Sequence, residues 1–111
     1  MLPTPTRAYL YSGPMDMRRS IDGLALLIEA MLKRSPFSGE VFVFFNKNLD
    51  KVKLLWWDRN GFWLAYKRLE KGRFASFPKA SELSWDELML LLEGVDLRTQ
   101  RLGIVACERV N

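Results

Sequence analysis

Apolar residues recur at intervals of three and four from about Met17 to Lys33, which predicts an amphipathic helix. Asp16 is placed to cap its N-terminus, and Pro36 prevents the helix from continuing. The stripe predicted to face the core comprises Ile21, Leu24, Ala25, Ile28, Met31 and Leu32. This helix should therefore pack one face on the rest of the domain.

A second, shorter helix is predicted from the capping box Ser84-Trp85-Asp86-Glu87. In such a box the serine side chain accepts a hydrogen bond from the backbone of the glutamate, and the glutamate side chain reaches back. The helix should run from about Trp85 to Glu93 and stop at Gly94. The side chains predicted to face inward are Leu88, Leu91 and Leu92.

The other apolar runs are short and rich in aromatic and β-branched residues, which is typical of strands. Strands are predicted at Ala8 to Tyr11, Val41 to Phe45, Lys51 to Asp58, Phe62 to Leu69 and Arg73 to Phe77, with Ile104 to Cys107 as a further candidate. The pattern predicts one compact α+β domain over residues 1–111, an antiparallel sheet of about four to five strands packed by two helices. Residues 1–8 form an extended lead-in, and the tail 99–111 is left unassigned.

The turn at Asp58-Arg59-Asn60-Gly61 decides which hairpin side chains face the core. A two-residue Asn60-Gly61 turn would leave both faces mixed, with one face carrying Lys53, Leu55, Trp57, Phe62, Leu64, Tyr66 and Arg68. A type I turn with Gly61 left-handed would pair Asp58 with Phe62 and give a nearly apolar face of Val52, Leu54, Trp56, Phe62, Leu64, Tyr66 and Arg68. Because one residue of slip moves every side chain to the other face, the cleaner register is predicted. The outward face then carries Lys53, Leu55, Trp57, Trp63, Ala65 and Lys67, with Trp57 opposite Trp63.

Charge is concentrated in the middle of the chain. The 111 residues carry a net charge of +4, but nine cations face only three acids between Lys47 and Lys79, a local charge of +6. Such a patch favours a polyanion or an acidic protein surface as partner. The alternative is a solvated hairpin whose lysines protect an edge strand from aggregation.

Several classes of function are excluded by composition. The chain has no histidine and one cysteine, Cys107, which removes histidine-based triads, internal disulfides and cysteine-histidine zinc sites. The acidic residues sit at caps, turns or beside cations, so no catalytic residue, metal ligand or cofactor is predicted. No apolar run is long enough for a membrane span and no signal peptide is visible, so we expect a cytoplasmic protein without membrane contact.

The aromatic and basic side chains are the candidate nucleic-acid contacts. Exposed tryptophans offer base stacking, and lysine and arginine supply phosphate contacts. Arg18 and Arg19, at the start of the first helix, are either phosphate ligands or partners of Asp22. A helix covering the outward face would instead make the tryptophans core residues. The predicted set is Lys53, Trp57, Trp63, Lys67, Arg68, Lys71, Arg73, Arg18 and Arg19.

Several blocks of this chain match one family in the same order and with similar spacing. They are Asp16-Met17-Arg18-Arg19 with Asp22-Gly23-Leu24, Pro36-Phe37-Ser38-Gly39 before Val41-Phe42-Val43-Phe44, Leu55-Trp56-Trp57-Asp58 with Gly61, Tyr66 to Phe74, and Leu91 to Asp96. On these blocks the chain resembles TnpB, the small accessory protein of insertion sequences of the sixty-six family. Where such proteins often carry a strongly basic loop, this chain has Asn46-Lys47-Asn48-Leu49-Asp50, which predicts weaker phosphate contact there.

The resemblance implies a non-catalytic accessory protein of bacterial DNA transposition, encoded beside a separate transposase on a mobile element. The side chains of the basic and aromatic hairpin predict DNA as a partner, and the transposase or another element-encoded protein is the other predicted partner. The alternative is an adaptor whose tryptophans dock onto the transposase without contacting DNA. An oligomer is compatible with either function.

Overall fold

A computed structural model describes residues 7–75 and 81–94. Its strands are β1 (Ala8–Leu10), β2 (Val41–Phe45), β3 (Lys51–Asp58), β4 (Gly61–Arg68) and β5 (Ser81–Leu83), and its helices are α1 (Ile21–Leu27), continued by a π-helical turn at Ile28–Leu32, and α2 (Trp85–Leu92). The predicted α+β class is confirmed. The strands form one sheet in the order β4-β3-β2-β1-β5.

The sheet is mixed rather than wholly antiparallel. β1 pairs parallel to β2, whereas the β1–β5, β2–β3 and β3–β4 pairs are antiparallel. The parallel pair arises because the chain returns from the end of β1 to the start of β2 through α1, the crossover that a parallel pair requires.

The central strands confirm the sequence pattern, and the outer ones depart from it. β2 and β3 have the predicted bounds, β1 ends one residue earlier than predicted, and β4 begins and ends one residue earlier. Residues 73–75 of the predicted fifth strand are not in a strand, and the rest of it lies outside the described residues. The observed β5 was not predicted, because three residues are too few to show alternation. The candidate strand Ile104 to Cys107 lies outside the described residues.

Both faces of the sheet are covered. On the face that we call the α2 face, Leu88 and Leu91 of α2 pack in one cluster with Val43, Leu54 and Trp56. On the α1 face, Leu24 and Ile28 pack with Phe42, Phe44 and Leu55. Every residue of β2 is buried as a result.

Two-sided burial explains why the predicted hairpin register is wrong. Asp58 pairs with Gly61, Trp57 with Phe62 and Trp56 with Trp63, around a two-residue Arg59-Asn60 turn in which Arg59 is left-handed at φ 52°. Trp57 and Trp63 therefore lie on opposite faces of the sheet. The prediction assumed a single apolar face, but a sheet packed by a helix on each side needs no such sorting. The observed faces are those expected for the alternative Asn60-Gly61 turn. One face carries Lys53, Leu55, Trp57, Phe62 and Tyr66 together.

The first helix is shorter than predicted and ends irregularly. It begins at Ile21, with Ser20 as N-cap, so Asp16 does not cap it; the Asp16 carboxylate accepts from the Arg18 backbone N–H instead. Its last turn is π-helical and ends at Lys33, which is left-handed at φ 57°. The wider turn shifts the buried stripe, so that Met31 is 65% exposed although the pattern placed it in the core.

The second helix is as predicted. The Ser84 side chain accepts from the Glu87 backbone N–H at 3.1 Å, and Glu87 accepts from the Ser84 N–H at 3.0 Å. Leu88 and Leu91 are buried, and Gly94 ends the helix at φ 90°. Leu92 is partly buried against the same core cluster.

The two helix N-caps give a matched test of this capping box. Ser84 caps α2 through its side chain, whereas Ser20 makes no side-chain cap bond. We expect Ser84→Ala to lower the free energy of unfolding by about 1 kcal/mol and Ser20→Ala to lower it by much less, as measured by urea denaturation. Equal losses would show that the cap bond adds nothing.

Candidate nucleic-acid interface

The two ends of the β3–β4 hairpin differ in character. Lys51 pairs with Arg68 at one end, and Trp57 pairs with Phe62 beside the turn at the other. Six residues of extended strand separate Lys51 from Trp57, which is about 20 Å. The open end of the hairpin is therefore basic, and the end beside the turn carries most of its aromatic rings.

Backbone hydrogen bonds gather three connecting segments at the first of these ends. The Leu69 N–H donates to the Asp50 carbonyl and the Phe74 N–H to the Leu49 carbonyl, each at 2.7 Å. These bonds join the loop after β4 to the loop before β3. The Met15 N–H donates to the Phe45 carbonyl at 2.8 Å, which brings the segment before α1 to the same place. We call this surface the basic end; its cations are Arg18, Arg19, Lys47, Lys51, Arg68, Lys71 and Arg73.

Asn46 braces the loop between β2 and β3. Its side-chain oxygen accepts from the backbone N–H groups of Asp50 and Lys51 at 3.0 and 2.9 Å, and its amide donates to the Asp50 carboxylate at 2.6 Å. The loop also holds Leu49 in the left-handed region at φ 59°. Lys47 is thus carried on a loop whose shape is fixed before any ligand arrives.

Lys53 is buried, which contradicts its predicted place on an outward face. Its side chain lies on the α1 face, and the residue is 8% exposed. The ammonium donates to the backbone carbonyls of Met17 and Arg19 at 2.6 and 2.7 Å and lies 5.3 Å from the Tyr66 ring centre. Lys53 therefore fixes the segment before α1 onto the sheet, and no phosphate can reach it in this structure.

Arg18 and Arg19 lie in the turn before α1 rather than within the helix. The partner of Arg18 is Asp16, not Asp22: the guanidinium donates to both Asp16 oxygens, with the shortest distance 2.7 Å. This hydrogen bonding lowers the pKa of Asp16 to about 2, so its carboxylate stays charged at neutral pH. Arg18 is neutralised, and Arg19, exposed on the same turn, is the stronger phosphate candidate.

The basic end keeps a surplus of positive charge after its acids are counted. Its carboxylates are Asp16, Asp50 and Glu70, so seven cations against three acids leave +4. The hydrogen bond from Asn46 lowers the pKa of Asp50, and Glu70 accepts from Arg68 at 3.0 Å. Within the described part of the chain, the basic-end cations that donate to no carboxylate are Arg19, Lys47, Lys71 and Arg73.

Lys67 has a structural contact of its own. It is exposed on the α2 face, and its ammonium donates to the Leu92 carbonyl at 3.0 Å. The last turn of α2 contains no basic residue, so Lys67 supplies the cation that the negative end of a helix favours. One of its three N–H donors is occupied by this bond, and two are left for a ligand.

The tryptophans occupy different environments. Trp57 is half-buried on the α1 face, where its ring makes T-shaped contacts with Phe37 and Phe62, with centroids 5.1 and 5.0 Å apart. We call Phe37, Trp57 and Phe62 the aromatic cluster; Phe37 is 55% exposed. Trp63, on the α2 face, is 56% exposed. Because Trp57 and Trp63 lie on opposite faces of the sheet, their rings cannot form a single stacking surface.

Lys47 and Lys51 belong to the basic end but were not among the predicted site residues. The only sequence signal for Lys51 is its pairing with Arg68, which depends on the hairpin register. The sequence predicts weak phosphate contact for the loop of Lys47, and only the backbone bonds from Leu69 and Phe74 join this loop to the one that carries Lys71 and Arg73.

Neither described helix combines the length and apolar character that crossing a membrane requires. In residues 7–75 and 81–94, no three acidic or cysteine side chains lie close enough together to hold a metal ion.

Residues 6–102 match the family described as IS66 Orf2 like protein. The chain belongs to this family. The resemblance to the sixty-six family of insertion sequences is thereby confirmed, and membership implies an accessory role in transposition.

Two uncharacterised proteins of Sinorhizobium fredii (strain NBRC 101917 / NGR234) are similar to this IS66 Orf2-like protein. Protein y4jC is 35% identical over 94 residues, which cover 81% of this chain and 80% of the relative. Protein y4hO is 36% identical over 104 residues, covering 88% and 90%. No solved structure matches the chain.

Proposed function

We propose that this IS66 Orf2-like protein assists transposition by binding DNA through the basic end, without catalytic chemistry of its own. The observation that carries the proposal is the convergence of Arg19, Lys47, Lys71 and Arg73, all exposed and without a carboxylate partner in the described residues. Cations that are not internally neutralised can release counterions from a phosphate backbone, which is the main source of sequence-independent affinity.

The shape of the basic end supports a phosphate ligand. Its loops are held by Asn46 and by the backbone bonds from Leu69 and Phe74, so the cations are displayed on fixed backbone. Little ordering entropy has to be lost when they engage a ligand. Contacts of this kind position a protein on DNA and carry no base sequence information. We therefore infer binding with little sequence preference.

The salt dependence of binding tests the proposal. We expect the purified protein to bind a labelled duplex at about 50 mM salt and to lose affinity steeply by about 200 mM, as measured by fluorescence anisotropy. The slope of log K against log salt should correspond to several phosphate contacts. If no DNA is bound at low salt and the protein co-purifies with the transposase, the proposal fails and the adaptor function replaces it.

The aromatic cluster gives the adaptor function its support. Phe37 exposes more than half of its surface beside two other rings, and at this end the exposed Arg59 is paired with Asp58 at 3.7 Å. Exposed aromatic rings with little net charge are typical of protein interfaces. We expect Phe37→Ala to weaken co-purification with transposase if the adaptor function holds and to leave DNA affinity unchanged.

A further inference from the structure

A shallow depression opens on the α2 face between β4 and the end of α2. Its volume is about 180 Å³ and its lining is Val52, Leu54, Ala65, Tyr66, Lys67 and Leu92. Four of the lining residues are aliphatic, and the one charged residue among them, Lys67, donates its ammonium to the Leu92 carbonyl. The space is smaller than a pocket for a drug-sized ligand and suits a single flat ring.

Trp63 lies two residues before the lining residue Ala65 on β4, and two contacts fix its orientation. Its ring is stacked on the buried Trp56, with centroids 6.3 Å apart and planes 22° apart. Its indole N–H donates to the Asp58 carboxylate at 3.0 Å. The ring is held beside Trp56 and its N–H donor is satisfied, yet 56% of the residue is exposed. The open surface of Trp63 is therefore a rigid aromatic platform.

Trp63, Ala65 and Lys67 alternate along β4, so their side chains share the α2 face. Successive members are about 7 Å apart, twice the strand rise. Ala65 is small, and this leaves the gap between the indole and the ammonium. Along the strand, the aromatic ring of Trp63 is followed by the small apolar Ala65 and then by the cation of Lys67. The basic end continues from Lys67 through Arg68 to Lys71 and Arg73.

We propose that this depression binds one unpaired nucleobase, stacked against Trp63, with its phosphate on Lys67. Bases inside a duplex are already stacked on both sides and cannot enter. The DNA bound by the basic end would thus contain a short single-stranded segment next to the duplex. This inference rests on the proposed function and specifies its ligand.

The test compares two labelled DNAs at about 50 mM salt: a blunt duplex, and the same duplex with a six-nucleotide thymidine overhang. We expect the wild-type protein to prefer the overhang. Trp63→Ala should reduce affinity for the overhang DNA by about fivefold to more than a hundredfold, as expected from the stacking removed, and should leave blunt-duplex affinity unchanged. Ala65→Leu fills the depression while keeping Trp63, and should act in the same direction.

The matched control is Phe37→Ala, which removes a similarly exposed ring from the opposite face and should change neither affinity. If Trp63→Ala and Ala65→Leu, both with cooperative thermal unfolding, bind the overhang as tightly as wild type, the inference is wrong while the proposed function stands. If they lose transposase co-purification instead, the depression holds a protein side chain and the inference is equally wrong. Wild-type protein that binds neither DNA would overturn both proposals.

Discussion

Replacing Arg19, Lys47, Lys71 and Arg73 together by alanine is expected to abolish most duplex binding. The loss should be about a hundredfold or more at low salt, and the salt slope should fall by roughly 0.9 for each phosphate contact removed. These side chains are exposed and have no carboxylate partner among the described residues, so their removal should cost little stability. Anisotropy titrations at several salt concentrations, with circular dichroism to verify folding, measure both quantities.

The control for this experiment removes equal charge elsewhere. Lys71→Ala with Arg73→Ala is compared with Arg59→Asn and Lys33→Asn, each pair lowering the net charge by two. Arg59 and Lys33 are exposed and left-handed, at φ 52° and 57°, a conformation that asparagine tolerates. We expect only the first pair to weaken binding strongly. Equal losses of DNA affinity would mean that binding depends on the total charge of the protein and that the basic end is not the site.

Phe44→Ala and Phe45→Ala are each expected to lower the free energy of unfolding by about 3 to 5 kcal/mol. These neighbours on β2 point to opposite faces: Phe44 is 0% exposed and packs toward α1, and Phe45 is 4% exposed and packs on the α2 side. If one face of the sheet were solvated, the substitution on that face would lower the free energy of unfolding only slightly. Chemical denaturation of both variants therefore tests whether the core lies on both sides of the sheet.

An exposed phenylalanine provides the reference for this comparison. Phe37 is 55% exposed. We therefore expect Phe37→Ala to lower the free energy of unfolding by well under half as much as either core substitution. Since typical domains are stable by about 5 to 15 kcal/mol, Phe44→Leu and Phe45→Leu serve as milder variants if the alanine variants fail to fold. A loss at only one of the two positions would contradict the two-sided core.

The elements with strong local chemistry were predictable from sequence. β2 is an unbroken apolar run, and α2 carries its own start and stop signals in Ser84, Glu87 and Gly94. Both patterns act over a few neighbouring residues, and the structure forms them as predicted. The π-helical end of the first helix has no such signal, because it reflects how Leu32, rather than Met31, meets the core.

Register was the point at which sequence reasoning failed. Three pairings of the hairpin differ by single residues, and choosing among them required knowing how many faces of the sheet are covered. Lys53 made the correct face look unsuitable for a core, yet the carbonyls of Met17 and Arg19 satisfy its ammonium. These acceptors lie more than thirty residues away in the chain, so no local pattern could reveal them.

The candidate site, too, was predictable from the sequence only in part. Composition established that the middle of the chain is basic and aromatic, because charge and side-chain type are properties of single residues. Which cations meet was decided by the sheet and by the bonds from Leu69 and Phe74 that join its loops. The tertiary structure also placed Trp57 and Trp63 on opposite faces, buried Lys53 and brought the loop of Lys47 to the basic end. These positions depend on strand pairing and on packing between segments that are distant in the chain.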